Sequence, residues 1–333
     1  MNLQEFLTEW NSPSDTLTVH TSGSTGTPKL ICVEKQRMRA SAQMTCSFLR
    51  LHHGDTTLLC MPLDYIAGKM VVVRSLVYNL KLISVKPSSH PLSTLTAPPI
   101  FAAMTPMQVY CSIKVKSERE ILSGIKHLII GGGAINKELE EQLRTFPNAV
   151  WSTYGMTETL SHIALRRING NNADNWYTPF ENVNVSLDPD ECLVINAPTV
   201  CKSILHTHDL AEIAPDGRRF RIIGRKDNVI NSGGIKISIE NIEDTLRPYI
   251  KTPFIITKRH DERLSEAITI LIKKGSADIN TIQKICEQVL PKHWRPKSYF
   301  AVSMIPITET GKPARAEANK LAEQAYARDS ISD

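Results

Sequence analysis

Short apolar runs alternate with longer amphipathic stretches over the first 150 residues of the chain. KLISV and KHLIIGGG have the length of buried strands, and turn residues follow them. EKQRMRASAQMTCSFLRL and NKELEEQLRTF place apolar or small side chains three and four positions apart, which predicts helices, with Asn136 as the N-cap of the second. Strands and helices in repeated alternation predict a mostly parallel sheet with helices on its faces.

The pattern changes near residue 182. Short apolar runs separated by turn residues predict a small antiparallel β subdomain over about 182–225. Five strands are expected there: VNVSLD, CLVINAP, SILHTHD, LAEIAPDG and RRFRIIGR. About a hundred further residues with mixed helix and strand patterns are enough for a separate α+β domain. The sequence therefore predicts an α/β protein with residues 1–225 as a large N-terminal domain and residues 226–333 as a smaller one.

Composition narrows the class of protein. The 333 residues are 41% hydrophobic and 22% charged, with a net charge of +5, which is ordinary for a globular protein. Seven cysteines without a Cys-x-x-Cys pair match no zinc pattern and indicate reduced thiols. No signal-peptide pattern and no long apolar run is present, and no dense basic and aromatic stretch indicates nucleic-acid binding. We expect a cytoplasmic protein that binds neither membranes nor nucleic acid.

A stretch rich in Gly, Ser and Thr, HTSGSTGTPK, occupies residues 20–29 after the strand-like LTV. Gly23 and Gly26 allow positive φ and close backbone approach, so amide N–H groups there can form an anion-binding nest, beside the charge of Lys29. The stretch is not a Walker A motif, because that motif needs Gly-Lys followed by Ser or Thr. From the residues alone it fits either a phosphate-binding loop or a polar turn.

Five segments together resemble the adenylate-forming superfamily, which contains acyl-CoA synthetases, luciferases and the adenylation domains of peptide synthetases. They occur in the family's order: the loop at 20–29, GGGAI at 131–135, YGMTET at 154–159, HDLAEI with the later Gly-Arg at 224–225, and ITETGKPAR at 307–315. The resemblance covers nearly the whole chain. It implies a core domain, a mobile C-terminal lid domain, and an enzyme that adenylates a carboxylic acid with ATP and Mg²⁺ and transfers the acyl group to coenzyme A.

The resemblance assigns many of these residues to ATP. Tyr154 would stack on adenine, Thr157 would contact the α-phosphate, and Glu158 would hold Mg²⁺ through a carboxylate oxygen. Asp209 would accept hydrogen bonds from both ribose hydroxyls. The implied ATP-binding residues are Thr21, Ser22, Gly23, Ser24, Thr25, Gly26, Lys29, Gly131, Gly132, Gly133, Tyr154, Gly155, Asp209 and Arg225.

Residues after the β subdomain carry the remaining implied roles. Lys312 would enter the site during adenylation and would form the catalytic set with Thr157 and Glu158. Asp227 resembles the hinge about which the C-terminal domain rotates before the thiol attacks. Gly233 and Gly234 would line the tunnel for the pantetheine arm of coenzyme A, where missing side chains leave room.

The segment CMPLDYIAGKMVVVRSL at residues 60–76 bears on the choice of acid. It is most similar to the o-succinylbenzoate–CoA ligase subfamily of menaquinone biosynthesis, whose substrate has two carboxylates. The planar guanidinium of Arg74 suits the carboxylate that is not adenylated, and the alternative is a purely structural arginine. Tyr65 and Thr105 are further candidates for the acid pocket.

The sequence departs from the family's pattern at three places. His208 stands where the family usually has Gly, and Asn241 stands where it usually has Glu. Most of the long stretch that precedes the phosphate loop in relatives is missing, so we expect the acid pocket to be closed by fewer walls or by a partner subunit of a homo-oligomer. That side of the sheet would then be bare, covered by another chain, or capped by residues 1–16. The alternatives are a CoA ligase for another aryl or medium-chain acid, and an adenylate-forming fold that binds ligands without catalysis.

Overall fold

The computed structural model describes residues 1–20, 30–308 and 313–332, and these form two compact units. The first contains residues 1–20, 30–207 and 211–222, and the second contains residues 208–210, 223–308 and 313–332. Over these residues, no helix combines the length and the apolar character that crossing a membrane requires.

The first unit begins with a helix and a small hairpin-like sheet. Helix α1 (Leu3–Trp10) is followed by β1 (Thr16–His20) and β2 (Leu30–Glu34), which pair antiparallel in a two-stranded sheet of their own. The strand-like LTV is confirmed as part of the first strand, since Leu17 and Val19 of β1 lie in the buried core, and β1 pairs with β2. Helix α2 (Lys35–Leu49) follows directly.

A seven-stranded sheet forms the centre of the first unit, in the order β4-β3-β5-β6-β7-β8-β9. Its strands are β3 (Thr56–Leu59), β4 (Lys81–Ser84), β5 (Phe101–Met104), β6 (His127–Ile130), β7 (Ala149–Gly155), β8 (His162–Arg167) and β9 (Thr178–Pro179). The strands from β4 to β7 run parallel, as predicted, and β8 and β9 pair antiparallel at one side.

Helices cover the sheet on both faces because its strands have apolar side chains on both. Phe101 and Ala103 belong to one buried cluster, whereas Ala102 and Met104, which point the opposite way, belong to another. The helices are α3 (Ile66–Tyr78), α4 (Pro106–Lys114), α5 (Lys116–Gly124) and α6 (Lys137–Leu143). Helix α2 packs on α3, and buried residues of both belong to the first cluster.

A smaller sheet follows, in the order β10-β11-β12-β13. Its strands are β10 (Asn184–Leu187), β11 (Cys192–Asn196), β12 (Leu205–Ile213) and β13 (Phe220–Arg225). The sequence predicted two strands where the structure has only β12. That prediction was wrong because the two predicted strands adjoin directly at Asp209 and Leu210, where neither Gly nor Pro ends a strand.

The second unit has a five-stranded sheet with helices on both faces. Its elements are β14 (Val229–Ser232), β15 (Ile235–Ser238), α7 (Ile239–Leu246), β16 (Phe254–Asp261), β17 (Ser265–Lys273), α8 (Ile279–Val289), β18 (Ser298–Val302) and α9 (Arg315–Ser332). Strand β17 pairs antiparallel with β16 and parallel with β18. One buried cluster includes residues of α7 and α8, and another includes Ala318 and Ala322 of α9.

Candidate active site

Four of the segments named from the sequence lie at the carboxyl ends of parallel strands. Tyr65 comes after β3, Thr105 comes directly after β5, Gly131–Gly133 come directly after β6, and Tyr154–Glu158 lie at the end of β7. Parallel strands end at the same edge of their sheet, and open α/β sheets bind ligands at that edge. The fold therefore brings these four segments to one side of the sheet.

The space and the backbone angles of the turn after β6 explain why residues 131 and 132 are glycines. A Cβ at Gly131 would lie 2.2 Å from Thr153 Oγ1, and Gly132 has φ of +80°, which side chains rarely adopt. Beyond the turn, the Asn136 side chain accepts a hydrogen bond from Leu139 N at 2.8 Å, which confirms the predicted N-cap. The turn thus runs from β6 to α6 with little side-chain bulk along its path.

The chain after β7 is held by close backbone contacts. A Cβ at Gly155 would lie 2.4 Å from Ser161 O, and the strand pairing shifts between Tyr154 and Gly155. A short 3₁₀ turn at Thr157–Thr159 follows, in which Thr157 is buried and Glu158 is exposed. Glu158 O accepts a hydrogen bond from Cys201 Sγ at 3.2 Å, so the backbone is anchored while the carboxylate faces outward.

The exposed Glu158 carboxylate has the chemistry that a magnesium ion needs. Mg²⁺ is commonly bound through one or two carboxylates together with substrate phosphates, rather than by a complete protein cage. Within the part of the chain that the structure describes, no cluster of three or more His, Cys, Asp or Glu side chains is placed to bind a metal. Glu158 therefore fits a cation that is shared with a bound nucleotide.

Aromatic rings fix the position of Tyr154. Its ring lies edge-on to Phe220, with 5.1 Å between centroids, and 5.9 Å from the ring of Tyr177. Tyr177 and Phe220 stack on each other at 5.6 Å, and the hydroxyls of Tyr177 and Ser152 are 2.8 Å apart. Sequence reasoning did not single out Tyr177 or Phe220, because no local motif marks them.

Arg74 is a buried cation, and no carboxylate of residues 1–20, 30–308 or 313–332 pairs with it. Its side chain is 2% exposed, and Nη2 donates to Ser161 Oγ at 2.6 Å. Nε is buried and has no hydrogen-bond partner, and no carboxylate lies within 4.0 Å of the guanidinium, among the residues that the structure describes. Burial lowers the pKa of Arg74 to about 10. A buried charge that only neutral groups contact is costly for the folded state.

Two residues next to Arg74 were not found from the sequence. Ser161 Oγ lies 3.2 Å from Nδ1 of His162, and Nε2 of that ring lies 3.0 Å from Thr45 Oγ1. Burial, with a smaller effect from Arg74, holds the pKa of His162 well below its usual range, so the ring is neutral near pH 7. The sequence signal that could have identified both residues is their position directly after YGMTETL.

The two other candidates for the acid pocket lie at helix N-termini. Tyr65 is the half-buried N-cap residue of α3. Thr105 caps α4, because its hydroxyl accepts from Gln108 N at 3.2 Å while Thr105 N donates to Gln108 Oε1 at 3.0 Å. This capping box gives Thr105 a structural role besides its predicted one.

In the second unit, three further candidates form a network of ion pairs. Arg225 lies 3.3 Å from Asp209 and 3.1 Å from Asp227. His208 Nδ1 lies 2.8 Å from one oxygen of Asp227 and 3.0 Å from the other. Burial alone would raise the pKa of Asp227, but hydrogen bonds from Arg225 and His208 outweigh it and lower the pKa. His208, one of the sequence's departures from the family, thus contacts the predicted hinge residue.

Gly233 and Gly234 form the turn of the β14–β15 hairpin. Their φ angles are +58° and +82°, as expected for the two central residues of a hairpin turn that favours glycine. Their identity therefore has a conformational reason, and a role in the coenzyme A tunnel stays a prediction. The other departure, Asn241, is exposed in the first turn of α7.

The remaining candidates lie outside the described residues. They are Thr21, Ser22, Gly23, Ser24, Thr25, Gly26, Lys29 and Lys312. Their assigned roles stay predictions.

The chain has a parallel sheet with candidate ligand-binding loops at its carboxyl edge, followed by a small sheet and an α+β unit. This is the architecture of an adenylate-forming enzyme. The AMP-binding enzyme family matches residues 3–195, and the chain belongs to that family.

Individual relatives agree with this assignment. The chain is 23% identical to the 2-succinylbenzoate–CoA ligase of Bacillus cytotoxicus, over 92% of this chain and 70% of that protein. It is 30% identical to the structure of an acyl-CoA synthetase (AMP-forming)/AMP-acid ligase II-like protein from Dyadobacter fermentans, with a TM-score of 0.64 and coverage of 96% and 92%. The O-succinylbenzoate coenzyme A synthetase of Bacillus subtilis, solved with ATP and magnesium, is 19% identical with a TM-score of 0.74, over 90% and 69% of the two chains.

Proposed function

We propose that this protein is an AMP-forming acid–CoA ligase whose acid is o-succinylbenzoate, and that it acts in menaquinone biosynthesis in the cytoplasm. The family assignment and the names of the relatives above support the reaction. The observation that carries the choice of acid is the buried guanidinium of Arg74, which has no carboxylate partner among the described residues. A dicarboxylic acid would supply that partner with the carboxylate that does not react.

In the proposed first half-reaction, one carboxylate of the acid attacks the α-phosphate of ATP. The bond between the α- and β-phosphates breaks, pyrophosphate leaves, and an acyl-adenylate forms. Charge builds on the phosphoryl oxygens, so donors and cations must already be in place. We assign Thr157 to the α-phosphate, residues 21–29 to the β- and γ-phosphates, and Lys312 to the charge on the acid and phosphate. Bound magnesium, held by Glu158, would neutralise phosphate charge.

In the proposed second half-reaction, the thiol of coenzyme A releases its proton to solvent and its sulfur attacks the acyl carbon. The bond between that carbon and the phosphate oxygen breaks, AMP leaves, and a thioester forms. We assign Gly233 and Gly234 to the coenzyme A path and Asp227 to the hinge. We assign Asp209 and Arg225 to the nucleotide. The ion pair of 3.3 Å between these two residues supports their acting together.

ATP–pyrophosphate exchange across a panel of carboxylic acids tests the proposal. The expected result is exchange with o-succinylbenzoate, and much less with benzoate, malonate or octanoate. Exchange with benzoate or octanoate alone would identify a ligase for another acid. No exchange with any acid, from protein with a cooperative unfolding transition, would contradict the enzyme assignment.

Arg74→Ala tests the choice of acid more directly. We expect KM for o-succinylbenzoate to rise at least tenfold while KM for ATP stays within twofold, because a charge-assisted bond to the acid is lost. Arg39→Ala, an exposed arginine on the neighbouring helix α2, is the matched control and should leave both KM values unchanged. An unchanged KM for the acid in a folded Arg74→Ala protein would leave Arg74 with a structural role only.

Lys312→Ala separates the two half-reactions. It should abolish pyrophosphate exchange and spare thioester formation from acyl-adenylate that is supplied ready-made. Equal loss of both half-reactions would contradict the role given to Lys312.

A further inference from the structure

Four polar side chains from three elements meet in the core of the first unit. Thr45 lies on α2 and Arg74 on α3, while His162 begins β8 and Ser161 precedes it. Thr45 is 0% exposed, Arg74 2% and His162 8%. The contacts run from Arg74 Nη2 to Ser161 Oγ at 2.6 Å, on to His162 Nδ1 at 3.2 Å, and from His162 Nε2 to Thr45 Oγ1 at 3.0 Å.

The direction of this chain follows from counting protons. We assign the one proton of the Thr45 hydroxyl to the backbone carbonyl of Ser41 at 3.2 Å, so that towards the ring this hydroxyl accepts. On this assignment His162 carries its proton on Nε2, at the contact of 3.0 Å with Thr45 Oγ1. In a neutral ring Nδ1 is then an acceptor, and the Ser161 hydroxyl donates to it. Ser161 Oγ is left to accept from Arg74, so every donor points from the guanidinium towards α2.

This arrangement fixes one side of the guanidinium and leaves Nε, on another side, without a hydrogen-bond partner in the described part of the chain. Nη2 donates to Ser161 Oγ, whose own proton is donated to His162 Nδ1. Nε–H remains buried and unpartnered among the described residues. A guanidinium that is held in this way is oriented before a carboxylate arrives, which lowers the entropic cost of binding.

We propose that His162 is a positioning residue for the acid substrate: through Ser161, and anchored by Thr45, it holds the Arg74 guanidinium in the orientation that binds the substrate's second carboxylate. This inference rests on the proposed function, since it assumes a dicarboxylic acid. Because the guanidinium is almost fully covered in the structure, the neighbouring side chains must move to admit the acid.

A structural role for His162 makes different predictions. The ring also packs against Phe180, with 5.5 Å between centroids, so a variant can perturb the core simply by leaving a cavity. The two amide side chains separate these roles. Asn is the smaller, but its amide oxygen can occupy the position of Nδ1. Gln is closer to His in length and can reach Thr45, but it places no acceptor at the position of Nδ1.

The kinetic test measures KM for o-succinylbenzoate and for ATP in pyrophosphate exchange. We expect His162→Gln and Ser161→Ala to raise KM for the acid about tenfold, with kcat and KM for ATP within twofold. His162→Asn should restore KM to within about threefold of the parent protein. Ser47→Ala is the control, because Ser47 also links α2 to α3, through a surface contact of 2.7 Å with the Tyr78 hydroxyl. Ser47→Ala should leave kcat and both KM values unchanged.

Two kinetic results would overturn the proposal. One is a KM for the acid within twofold of the parent in folded His162→Gln. The other is a larger loss in His162→Asn than in His162→Gln, which is the order that a cavity produces.

A measurement on the parent protein needs no variant and no activity. Nitrogen-15 NMR of labelled histidine should show His162 as the neutral tautomer protonated on Nε2 from pH 6 to 8, with assignment by loss of the signal in His162→Gln. A proton on Nδ1, or a charged ring, would overturn the inferred chain. If the parent exchanges with no acid, the proposed function fails, whereas failure of the positioning role requires exchange in the parent and the results above.

Discussion

At the scale of single residues, the candidate site depends on how closely two backbone segments approach. Gly155 ends β7 where the chain turns back to pair with β8, and Ser161 O and His162 Cα occupy the place where a side chain would begin. The same turn carries Thr157 and Glu158. A change at Gly155 therefore displaces both the proposed phosphate contact and the residues next to Arg74.

Gly155→Ala should destabilise the protein and abolish pyrophosphate exchange. Its Cβ would lie 2.4 Å from backbone oxygen, which cannot move without moving β8. We expect a loss of about 2–4 kcal/mol in the free energy of unfolding, the range for overpacking and strain. Gly133→Ala is the matched control for stability, because its Cβ would meet Pro106 only at an ordinary 3.7 Å. Equal unfolding midpoints for the two variants would contradict this explanation.

One ion pair makes stability depend on pH. Glu140 of α6 receives two hydrogen bonds from Arg166 of β8, at 2.7 and 3.0 Å, in a partly buried position. Hydrogen bonds from Arg166 outweigh burial and lower the pKa of Glu140. A lowered pKa in the folded state means that the pair stabilises the protein above the unfolded pKa of about 4.3, and that this contribution is lost as pH falls through the folded value.

Glu140→Gln should therefore lower the free energy of unfolding at pH 7 by about 1–3 kcal/mol. The difference from the parent protein should shrink below about pH 4, where the parent carboxylate becomes protonated. Chemical denaturation at several pH values measures this. Glu141→Gln, the next and exposed residue of α6, is the control and should remain close to the parent throughout. A difference that stays constant with pH would contradict the role of the carboxylate.

At the scale of elements, α1 covers part of the core that α2 and α3 build. Phe6 is 0% exposed and Trp10 6%, and both belong to the same buried cluster as residues of α2 and α3. Buried Lys69 of α3 lies 3.6 Å from Glu9 and 5.2 Å from the centroid of the Phe6 ring. Residues 1–10 therefore form a wall of this side of the core.

Phe6→Ala should remove that wall's main anchor. A fully buried phenylalanine replaced by alanine typically costs about 3–5 kcal/mol of folding free energy. Thr8→Ala, an exposed position on the same helix, should change the free energy of unfolding by less than about 0.5 kcal/mol. Urea denaturation measures the free energy of unfolding of both variants. A loss in Phe6→Ala as small as that in Thr8→Ala would show that α1 contributes little to stability.

At the scale of the whole molecule, the described chain has two compact units with separate cores. Leu128 is 0% exposed in a cluster of the first unit, and Ile268 is 1% exposed in a cluster of the second. Chains with more than one core often unfold in more than one step. We expect two transitions in calorimetry.

Leu128→Ala should lower the midpoint temperature of one transition, that of the first unit. Ile268→Ala should lower the midpoint of the other transition, that of the second unit. Both replace a large buried side chain by alanine, at a cost of about 2–5 kcal/mol, so each is the control for the other. A single transition that both variants lower equally would show one cooperative unit. Two transitions would also support the predicted division near residue 225.

The sequence by itself determined the class of fold and the family. Apolar runs of strand length, separated by amphipathic helices, led to the parallel sheet because burial on both faces imposes that pattern. The segments at 131–135 and 154–159 could be interpreted because they resemble motifs of the family, and such motifs are local in the sequence. Helix α1 and β2 were missed, since short elements give weak periodicity, and the two predicted strands that form β12 were separated wrongly.

Only the tertiary structure decided which distant residues meet. Thr45, Arg74 and His162 are separated by 29 and 88 positions, and no local pattern relates them. The contact of His208 with Asp227 and the rings around Tyr154 could not be predicted either, because these residues are also far apart in the sequence. Hydrophobic periodicity and turn chemistry act over a few residues and leave their mark in the sequence. Burial, ion pairing and hydrogen-bond direction depend on side chains that only the folded chain brings together.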